Sequence, residues 1–570
     1  MISVCGRGWR GALCAVLVAL AGPFALAGPL GLAGCAPGTG SHAGGSQVGG
    51  DGAGAAKPLV VVRAVAPTTL DPLLLAGPAA SDVGPLLFSY LLTTDARGKL
   101  GPDLAVRVPS LANGGIAPDG RTVTYELRRG VRWHDGAPFS ARDVVATYRA
   151  LMDRRNAVPS RLGFDQVTEI RALGEAAVRV RLRAPFAPFL SYFFAAENYP
   201  VLPAHLLAKY GALQGTPLDT APVGTGPYRL RAWRRGERLS LDANPQYFRG
   251  APRIARIDLR FIADPQAAAN ALRAGDADAL LGIDPLVAQE LRGDARFALS
   301  ATPVFGVEEL LFQTRDPALR DPAVRRRIVA ALQLERAVTT ASRGLLDTRD
   351  ANAGLWTWAT VPNASPPSPT PPSPAELPPS DAPLPARLTL AYDGTRVLDR
   401  ILATTLQDDA RRAGLALVLR GYAPQQFSAT ADAHGPLASG AYQLALRAEI
   451  TGADPETSWL LACSQIPPPA GWNFPRWCEP AVDRALRAGL GTFDQDRRAA
   501  AYAAIQRRVA RDVPFVLLWR ARSFDAAVTG LVRPERNPDS AFLGAERWRL
   551  GSISVRPLAP RRYAVLRYAP

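Results

Sequence analysis

Residues able to perform acid–base or metal chemistry are few and scattered in this chain of 570 residues. After residue 57 there are three histidines, His134, His205 and His434, far apart in sequence and without an HExxH motif. Gly224-Thr225-Gly226 precedes a proline, whereas a phosphate loop would precede a helix with a phosphate-binding lysine. The sequence therefore predicts no catalytic site, no metal centre and no cofactor.

Two cysteines, Cys463 and Cys478, lie in the carboxyl-terminal third of the chain. In an oxidising compartment we expect them to form one disulfide. By closing a loop of this length, the disulfide would stabilise the fold by roughly 3 kcal/mol in the chain-entropy model. A reactive thiol pair is the alternative, but it has neither CxxC spacing nor a histidine nearby in sequence to support it.

The amino-terminal region is typical of an export signal. Residues 32–35 read Leu-Ala-Gly-Cys and end an uncharged apolar stretch that follows Arg7 and Arg10, an arrangement that resembles a bacterial lipobox. We expect residues 1–34 to be a signal peptide, Cys35 to carry lipid, and residues 35–58 to be a flexible Gly-rich tether. A transmembrane helix is the alternative, which Pro23 and Pro29 disfavour. The chain is thus expected in the periplasm or at the cell surface, held to a membrane by lipid.

Composition indicates a globular protein with more than one lobe. Hydrophobic residues make up 48% of the chain, and its length exceeds that of one compact core. The net charge of +16 comes almost entirely from arginines that are scattered singly or in pairs. Because no basic block is interleaved with aromatic residues, we expect attraction to anionic membrane surfaces and no nucleic-acid partner.

Hydrophobic patterning predicts alternating strands and helices, which defines an α/β class with mixed sheets. Residues 59–62 form a continuous apolar run suited to a buried strand, and residues 122–128 and 178–183 alternate as half-buried strands do. Helices are predicted after Ser140 and at Asp264-Pro265 and Asp321-Pro322, where polar side chains can cap the first turn. The Pro- and Ser-rich residues 365–385 are expected to be an extended connector.

A series of short motifs carries the most specific information. Asp119-Gly120 and Asp135-Gly136 predict tight turns, since glycine tolerates positive φ. In order, the motifs are residues 69–72 (TLDP), 91–95 (LLTTD), 101–105 (GPDLA), 118–122 (PDGRT), 125–133 (YELRRGVRW), 135–144 (DGAPFSARDV), 223–228 (VGTGPY), 244–248 (NPQYF), 271–278 (ALRAGDAD), 321–325 (DPAVR) and 452–455 (GADP). Together the set resembles the family 5 extracytoplasmic solute-binding proteins that serve oligopeptide, dipeptide and nickel ABC importers. The resemblance extends over residues 59–525.

This resemblance implies a two-lobed clamp of the periplasmic-binding-protein type, class II with an extra subdomain, whose lobes are joined by crossing strands. By analogy, lobe I would comprise residues 59–303, with the extra subdomain at about 95–200. Lobe II would comprise residues 304–524, and residues 525–570 would return to lobe I. The implied activity is capture of a solute between the lobes without catalysis.

The resemblance also suggests where a ligand would lie. Peptide-binding members carry a Trp and, three residues later, an Asp before the Asp-Pro of residues 454–455, but this chain has Ala448 and Thr451 there. Glu449 is the nearest carboxylate that could replace the missing charge. The resulting candidate ligand-binding residues are Glu449, Thr451, Asp454, Trp459, Trp472 and Asn473. Packing in the hydrophobic core explains Trp459 and Trp472 about as well as contact with a ligand does.

The implied function is the lipid-anchored, monomeric binding component of an ABC importer for peptides or peptide-like solutes, with a permease in the cytoplasmic membrane as its partner. A non-peptide ligand is an alternative, because this chain lacks the Asp that binds the ammonium group of the peptide in peptide-binding members. A surface sensor or a chaperone-like lipoprotein on the same fold is a further alternative. An enzyme on this fold is disfavoured, because no nucleophile–base pair is evident.

Overall fold

The computed structural model describes residues 57–195, 198–359, 383–468, 471–534 and 536–551. The predicted signal peptide, Cys35, nearly all of the 35–58 tether and most of the 365–385 connector lie outside these residues. Within the described ranges, none of the helices is long and apolar enough to cross a membrane.

The strands of the described residues follow the alternation predicted from sequence. They are β1 (Leu59–Arg63), β2 (Leu92–Thr94), β3 (Leu100–Pro102), β4 (Thr122–Glu126), β5 (Val167–Ala172), β6 (Ala177–Leu182), β7 (Tyr228–Arg234), β8 (Arg238–Ala243), β9 (Arg256–Phe261), β10 (Ala279–Ile283), β11 (Phe297–Phe312), β12 (Arg387–Asp393), β13 (Ala416–Tyr422), β14 (Leu444–Glu449), β15 (Phe515–Val528), β16 (Leu531–Val532) and β17 (Arg549–Leu550).

The α-helices lie between these strands. They are α1 (Pro78–Leu87), α2 (Ala141–Met152), α3 (Phe189–Tyr192), α4 (Ala204–Leu207), α5 (Pro265–Ala274), α6 (Pro285–Leu291), α7 (Pro322–Ala331), α8 (Leu334–Ala341), α9 (Ala351–Trp356), α10 (Val397–Arg412), α11 (Pro424–Phe427), α12 (Pro436–Ser439), α13 (Ser458–Leu461), α14 (Pro480–Leu490) and α15 (Gln495–Asp512).

The predicted helix starts are confirmed, and their capping explains why they form. The N–H of Arg142 donates to Ser140 Oγ at 3.3 Å, while Ser140 N–H donates to Asp143 Oδ2 at 2.7 Å, which satisfies two free donors of α2. Asp264 and Asp321 accept hydrogen bonds from the first turns of α5 and α7, each with proline at the first helical position.

One mixed sheet unites most strands in the order β13-β12-β14-β11-β15-β10-β1-β9-β8-β7. β1 is parallel to both of its neighbours, β9 and β10, and β12 is parallel to β13 and β14. The apolar run of β1 explains its central place, because Val61 and Val62 pack into two different hydrophobic clusters. The predicted α/β class with mixed sheets is confirmed.

Two long strands, β11 and β15, connect the two halves of this sheet. The first part of β15 pairs with the second part of β11, which also pairs with β14. The last residues of β15 pair with both the first part of β11 and β10. The regular register is interrupted between Pro303 and Val307, opposite Arg522 and Arg520. The lobe boundaries suggested by sequence stay a prediction.

A separate three-stranded antiparallel sheet, β4-β6-β5, is covered by α2. Its strands β4 and β6 are the alternating segments predicted from sequence, paired in the register Thr122 with Arg181 through Glu126 with Ala177. The side chains of Val123, Tyr125 and Val180 are buried. This sheet belongs to the part of the chain that the resemblance assigned to an extra subdomain.

Candidate functional site

A cavity of about 230 Å³ lies where strand ends meet the crossing strands β11 and β15. Its wall combines the end of β1, the first turns of α1, both crossing strands and the segment that follows β16. Ile450, immediately after β14, adds an apolar side chain that is largely exposed. Charged and hydroxyl-bearing residues of the wall include Arg63, Asp82, Thr302, Asp525, Arg533 and Arg536.

The strand topology explains why the cavity forms here. Ligands of open α/β sheets bind beyond the carboxyl ends of strands, where the chain leaves the sheet. Arg63 is the last residue of β1, and Ile450 follows the last residue of β14. Because β11 and β15 pass between these two ends, both halves of the sheet contribute to one wall.

Arg63 and Asp82 form a largely buried ion pair in this wall. Arg63 Nε donates to Asp82 Oδ2 at 2.6 Å, and another guanidinium N–H contacts the carbonyl of Leu281. Burial raises the pKa of Asp82, and the charge of Arg63 opposes that rise. The pair ties the end of β1 to α1.

Asp525, on crossing strand β15, is hydrogen-bonded through both carboxylate oxygens. Its Oδ1 accepts from the N–H of Gly282 at 2.9 Å and from the hydroxyl of Ser523 at 3.1 Å. Its Oδ2 accepts from Arg533 at 2.8 Å, in a pair that is almost fully buried. This carboxylate therefore organises the wall and has little capacity left for a ligand.

Two donors of the wall have no partner among the described residues. The hydroxyl of Thr302 is buried and makes no hydrogen bond. Arg536 lies at the exposed rim, where no hydrogen bond or ion pair joins its guanidinium to another described side chain. Burial by its surroundings, followed by the charge of Arg533, lowers the pKa of Arg536, and Asp525 opposes this effect.

Glu449, a predicted ligand residue, is buried and forms an ion pair with Arg447. Arg447 also lies 3.5 Å from Glu309 and stacks over the rings of Phe474 and Trp472, at 4.6 and 5.4 Å from their centroids. This ion pair is internal to the protein, and the role of Glu449 as a replacement for the ammonium-binding acid stays a prediction.

Thr451 lies beside the crossing strands. Its hydroxyl donates to the carbonyl of Gly354 at 2.6 Å. A Cβ atom on Gly354 would lie 2.5 Å from the carbonyl oxygen of Gly306 and from a methyl group of Val307, so α9 approaches β11 closely. Thr451 thus ties the segment after β14 to α9, which itself approaches β11 at Gly354.

Asp454 is also engaged internally. It accepts two hydrogen bonds from Arg498, whose guanidinium also donates to Tyr502 and lies over the ring of Trp358 at 5.1 Å. Asp454 therefore has a structural partner in Arg498, and its predicted ligand contact stays a prediction.

The remaining predicted residues, Trp459, Trp472 and Asn473, lie near one another. The rings of Trp459 and Trp472 meet edge to face at 6.4 Å, and Trp472 is 54% exposed. The amide nitrogen of Asn473 donates to the carbonyls of Leu461, Ala462 and Trp477 and so holds the loop together, while its predicted ligand contact stays a prediction.

The structure contains a disulfide bond between Cys463 and Cys478, and this bond closes the same loop. Trp472 and Asn473 lie within it. Of the two, Trp472 keeps a largely exposed surface that a solute can contact.

Sequence reasoning missed most of the cavity wall. Two signals were present: Arg63 ends an otherwise apolar strand, and Asp525 interrupts the apolar end of β15. Buried charges are costly unless paired, so each indicated a specific partner. Nothing local, however, indicated that Arg533 and Arg536 return to the end of β1. Within the described ranges, no group of three or more His, Cys, Asp or Glu side chains is arranged to hold a metal ion.

Comparison with known proteins assigns the sequence to a family. The model of bacterial extracellular solute-binding proteins, family 5 (middle), matches residues 106–462. Protein XP55 of Streptomyces lividans is 30% identical over 487 residues, which cover 82% of this chain and 84% of that protein. The probable di/tripeptide-binding protein 5 of Pseudomonas aeruginosa is 26% identical over 496 residues, with 79% and 90% covered.

Comparison with solved structures identifies the same type of fold. The ABC transporter substrate-binding protein CtaP of Listeria monocytogenes matches with a TM-score of 0.73 at 20% identity, covering 87% of this chain and 99% of that one. The fold and the cavity beside its crossing strands thus define a two-lobed periplasmic-binding protein. The chain belongs to family 5 of the bacterial extracellular solute-binding proteins, as the motifs had indicated.

Proposed function

We propose that this protein is the lipid-anchored binding component of an ABC importer, which captures peptides or peptide-like solutes between two lobes and delivers them to a membrane permease. The observation that carries the proposal is the composition of the cavity wall. It joins Arg63 at the end of β1 to Ile450 at the end of β14, on either side of the crossing strands. Family membership supports solute binding.

Capture works through a shift between open and closed forms. A solute that contacts both lobes only when they are closed favours closure by its differential affinity. A preference of about 5.5 kcal/mol would move the equilibrium from 1:99 to 99:1. The closed form is the one that we expect the permease to recognise.

Two contacts are consistent with a closed arrangement. With the lobe boundaries predicted from sequence, Ala187 and Leu490 belong to different lobes, and the N–H of Ala187 donates to the Leu490 carbonyl at 2.9 Å. The hydroxyl of Tyr192 likewise donates to Glu456 at 3.4 Å. Contacts of this kind would break when the lobes separate.

Native mass spectrometry of protein purified from its own host tests the proposal. A co-purified small solute or peptide, released by partial unfolding and identified by its mass, is the expected result. Calorimetry with that solute then measures its affinity. Protein that carries nothing and binds no member of a broad peptide and metabolite panel would contradict the proposal.

A further inference from the structure

One short segment of the predicted lobe I, residues 185–192, contacts two separate segments of the predicted lobe II. The N–H of Ala187 donates to the carbonyl of Leu490, the last residue of α14, at 2.9 Å. At the other end of the segment, the hydroxyl of Tyr192 donates to a carboxylate oxygen of Glu456 at 3.4 Å. The two contacts therefore lie side by side along the chain of lobe I.

Phe493 adds an apolar contact at the same place. It is the only large apolar side chain of residues 491–497, which read Gly-Thr-Phe-Asp-Gln-Asp-Arg. Its ring lies 3.6 Å from the position that a Cβ on Gly120 would take, and Pro185 lies 3.1 Å from that position. Among the described hydrophobic residues of 304–524, Phe493 alone packs against the hydrophobic cluster that contains the buried residues of β1 and β4. A side chain of the predicted lobe II is thus accommodated by the core of the predicted lobe I.

Arg498 holds the lobe II side of this contact together. Its Nε donates to the carbonyl of Gly489 at 3.0 Å, and its other nitrogens donate to Asp454. Gly489 directly precedes Leu490, and Asp454 lies two residues before Glu456. One buried guanidinium therefore fixes the positions of both segments that meet residues 185–192.

The lobe I side is equally well held. The rings of Phe186 and Tyr192 stack with their centroids 6.2 Å apart and their planes 8° from parallel. Phe189, in the same segment, is fully buried in the cluster of β1 and β4. Because this cluster joins the predicted extra subdomain to the central strands, a contact made here acts on the whole of the predicted lobe I.

From these contacts we infer that residues 185–192, Phe493 and Glu456 form a latch, which favours the closed arrangement of the lobes before any solute binds. The inference rests on the proposed function and identifies part of what sets its equilibrium between open and closed forms. Separation of the lobes would expose the ring of Phe493 to water, which favours the form that buries it. The latch thereby reduces the free energy of closure that the solute must supply. None of these residues lines the cavity, so the latch acts on solute affinity from outside the cavity wall.

Small-angle scattering of the full mature protein, freed of solute, tests the latch. Phe493→Ala should lower the ratio of closed to open molecules by about tenfold, because a buried phenyl group is lost, and should increase the radius of gyration. Phe261→Ala is the matched control. Phe261 is also partly buried against the same cluster, but it is the last residue of β9, within the predicted lobe I. Its radius of gyration should equal that of the wild type.

A second variant tests the polar part of the latch. Tyr192→Phe keeps the stacked ring and removes the hydroxyl that donates to Glu456, so the ratio of closed to open molecules should fall by about threefold. Circular dichroism shows whether each variant is folded. A folded Phe493→Ala variant with the radius of gyration of the wild type, or an equal increase in Phe261→Ala, would overturn the inference. If Phe493→Ala does not fold, an unchanged radius of gyration in Tyr192→Phe would overturn it.

The two proposals fail in different ways. If the protein carries a solute, while Phe493→Ala and Tyr192→Phe leave the scattering of the solute-free protein unchanged, the latch is wrong and the proposed function stands. If no solute is carried and no member of the peptide and metabolite panel binds, the proposed function is wrong whatever the latch variants do.

Discussion

Arg498 donates two hydrogen bonds to Asp454, at 2.8 and 2.6 Å, and the two side chains are only 7% and 9% exposed. The pair connects α15 to the loop after β14, close to the crossing strands. The Asp-Pro motif that contributed to the family resemblance therefore reports an internal ion pair, and its acid holds the scaffold together.

Asp454→Asn should lower the free energy of unfolding by about 3 kcal/mol, because it leaves the Arg498 charge buried without its partner. Urea denaturation measures the change. Asp408→Asn is the matched control, since Asp408 pairs with Arg411 on the exposed surface of α10, and we expect a loss below about 0.5 kcal/mol there. Equal losses in the two variants would contradict the assignment.

Gly354→Ala should destabilise the protein by about 1–3 kcal/mol, because the added methyl group would overlap the backbone of β11 at Gly306. Gly101→Ala is the control, since a Cβ there meets its nearest atom at 3.9 Å. Thermal unfolding of both variants distinguishes them. A Gly354→Ala variant as stable as Gly101→Ala would show that α9 does not pack closely on β11.

Asp71 gives the protein a defined pH dependence. Burial raises its pKa from 3.8 to about 7, although the N–H of Leu73 donates to its Oδ1. The folded state therefore holds a proton that the unfolded chain releases near pH 4, and the contribution of Asp71 to stability falls as the pH rises from about 4 to about 7.

Asp71→Asn should remove this contribution while retaining an acceptor for Leu73. The stability of Asp71→Asn relative to the wild type should increase between pH 4 and pH 7 and level off above it. Denaturation at a series of pH values measures the difference. A constant difference over this range would mean that Asp71 is ionised in the folded protein.

The proposed lipid anchor can be tested at Cys35, which lies outside the described residues. Cys35→Ala should move the protein from the membrane fraction to the soluble fraction and abolish labelling by radioactive palmitate, since the acyl chains hold it at the membrane. Cys14→Ala, within the predicted signal peptide, is the control and should stay membrane-bound. Labelled, membrane-bound Cys35→Ala protein would refute lipidation at this residue.

Local elements were predictable from sequence because their causes are local. The apolar residues of β1 and the capping box at Ser140 each depend on neighbours a few positions away. The same holds for the Asp-Pro starts of α5 and α7. The fold class followed from these elements together with the family motifs.

The site was less predictable because it depends on long-range pairing. Arg63 and Arg536 lie 473 positions apart in the chain, and only the central place of β1 and the return of the last segment bring them to one cavity. At the end of β14, Glu449 and Thr451 bond internally, while Ile450 between them lines the cavity, and the ligand contacts predicted for Glu449 and Thr451 stay predictions. Side chains of a strand alternate between its faces, so a shift of one residue changes which of them a ligand can reach.

Small-angle X-ray scattering, before and after saturation with the solute found by native mass spectrometry, tests the central claim most directly. We predict that the radius of gyration decreases when the solute binds, because the lobes close around it. A scattering profile that stays the same at full occupancy would contradict closure about β11 and β15 as the basis of this protein's function.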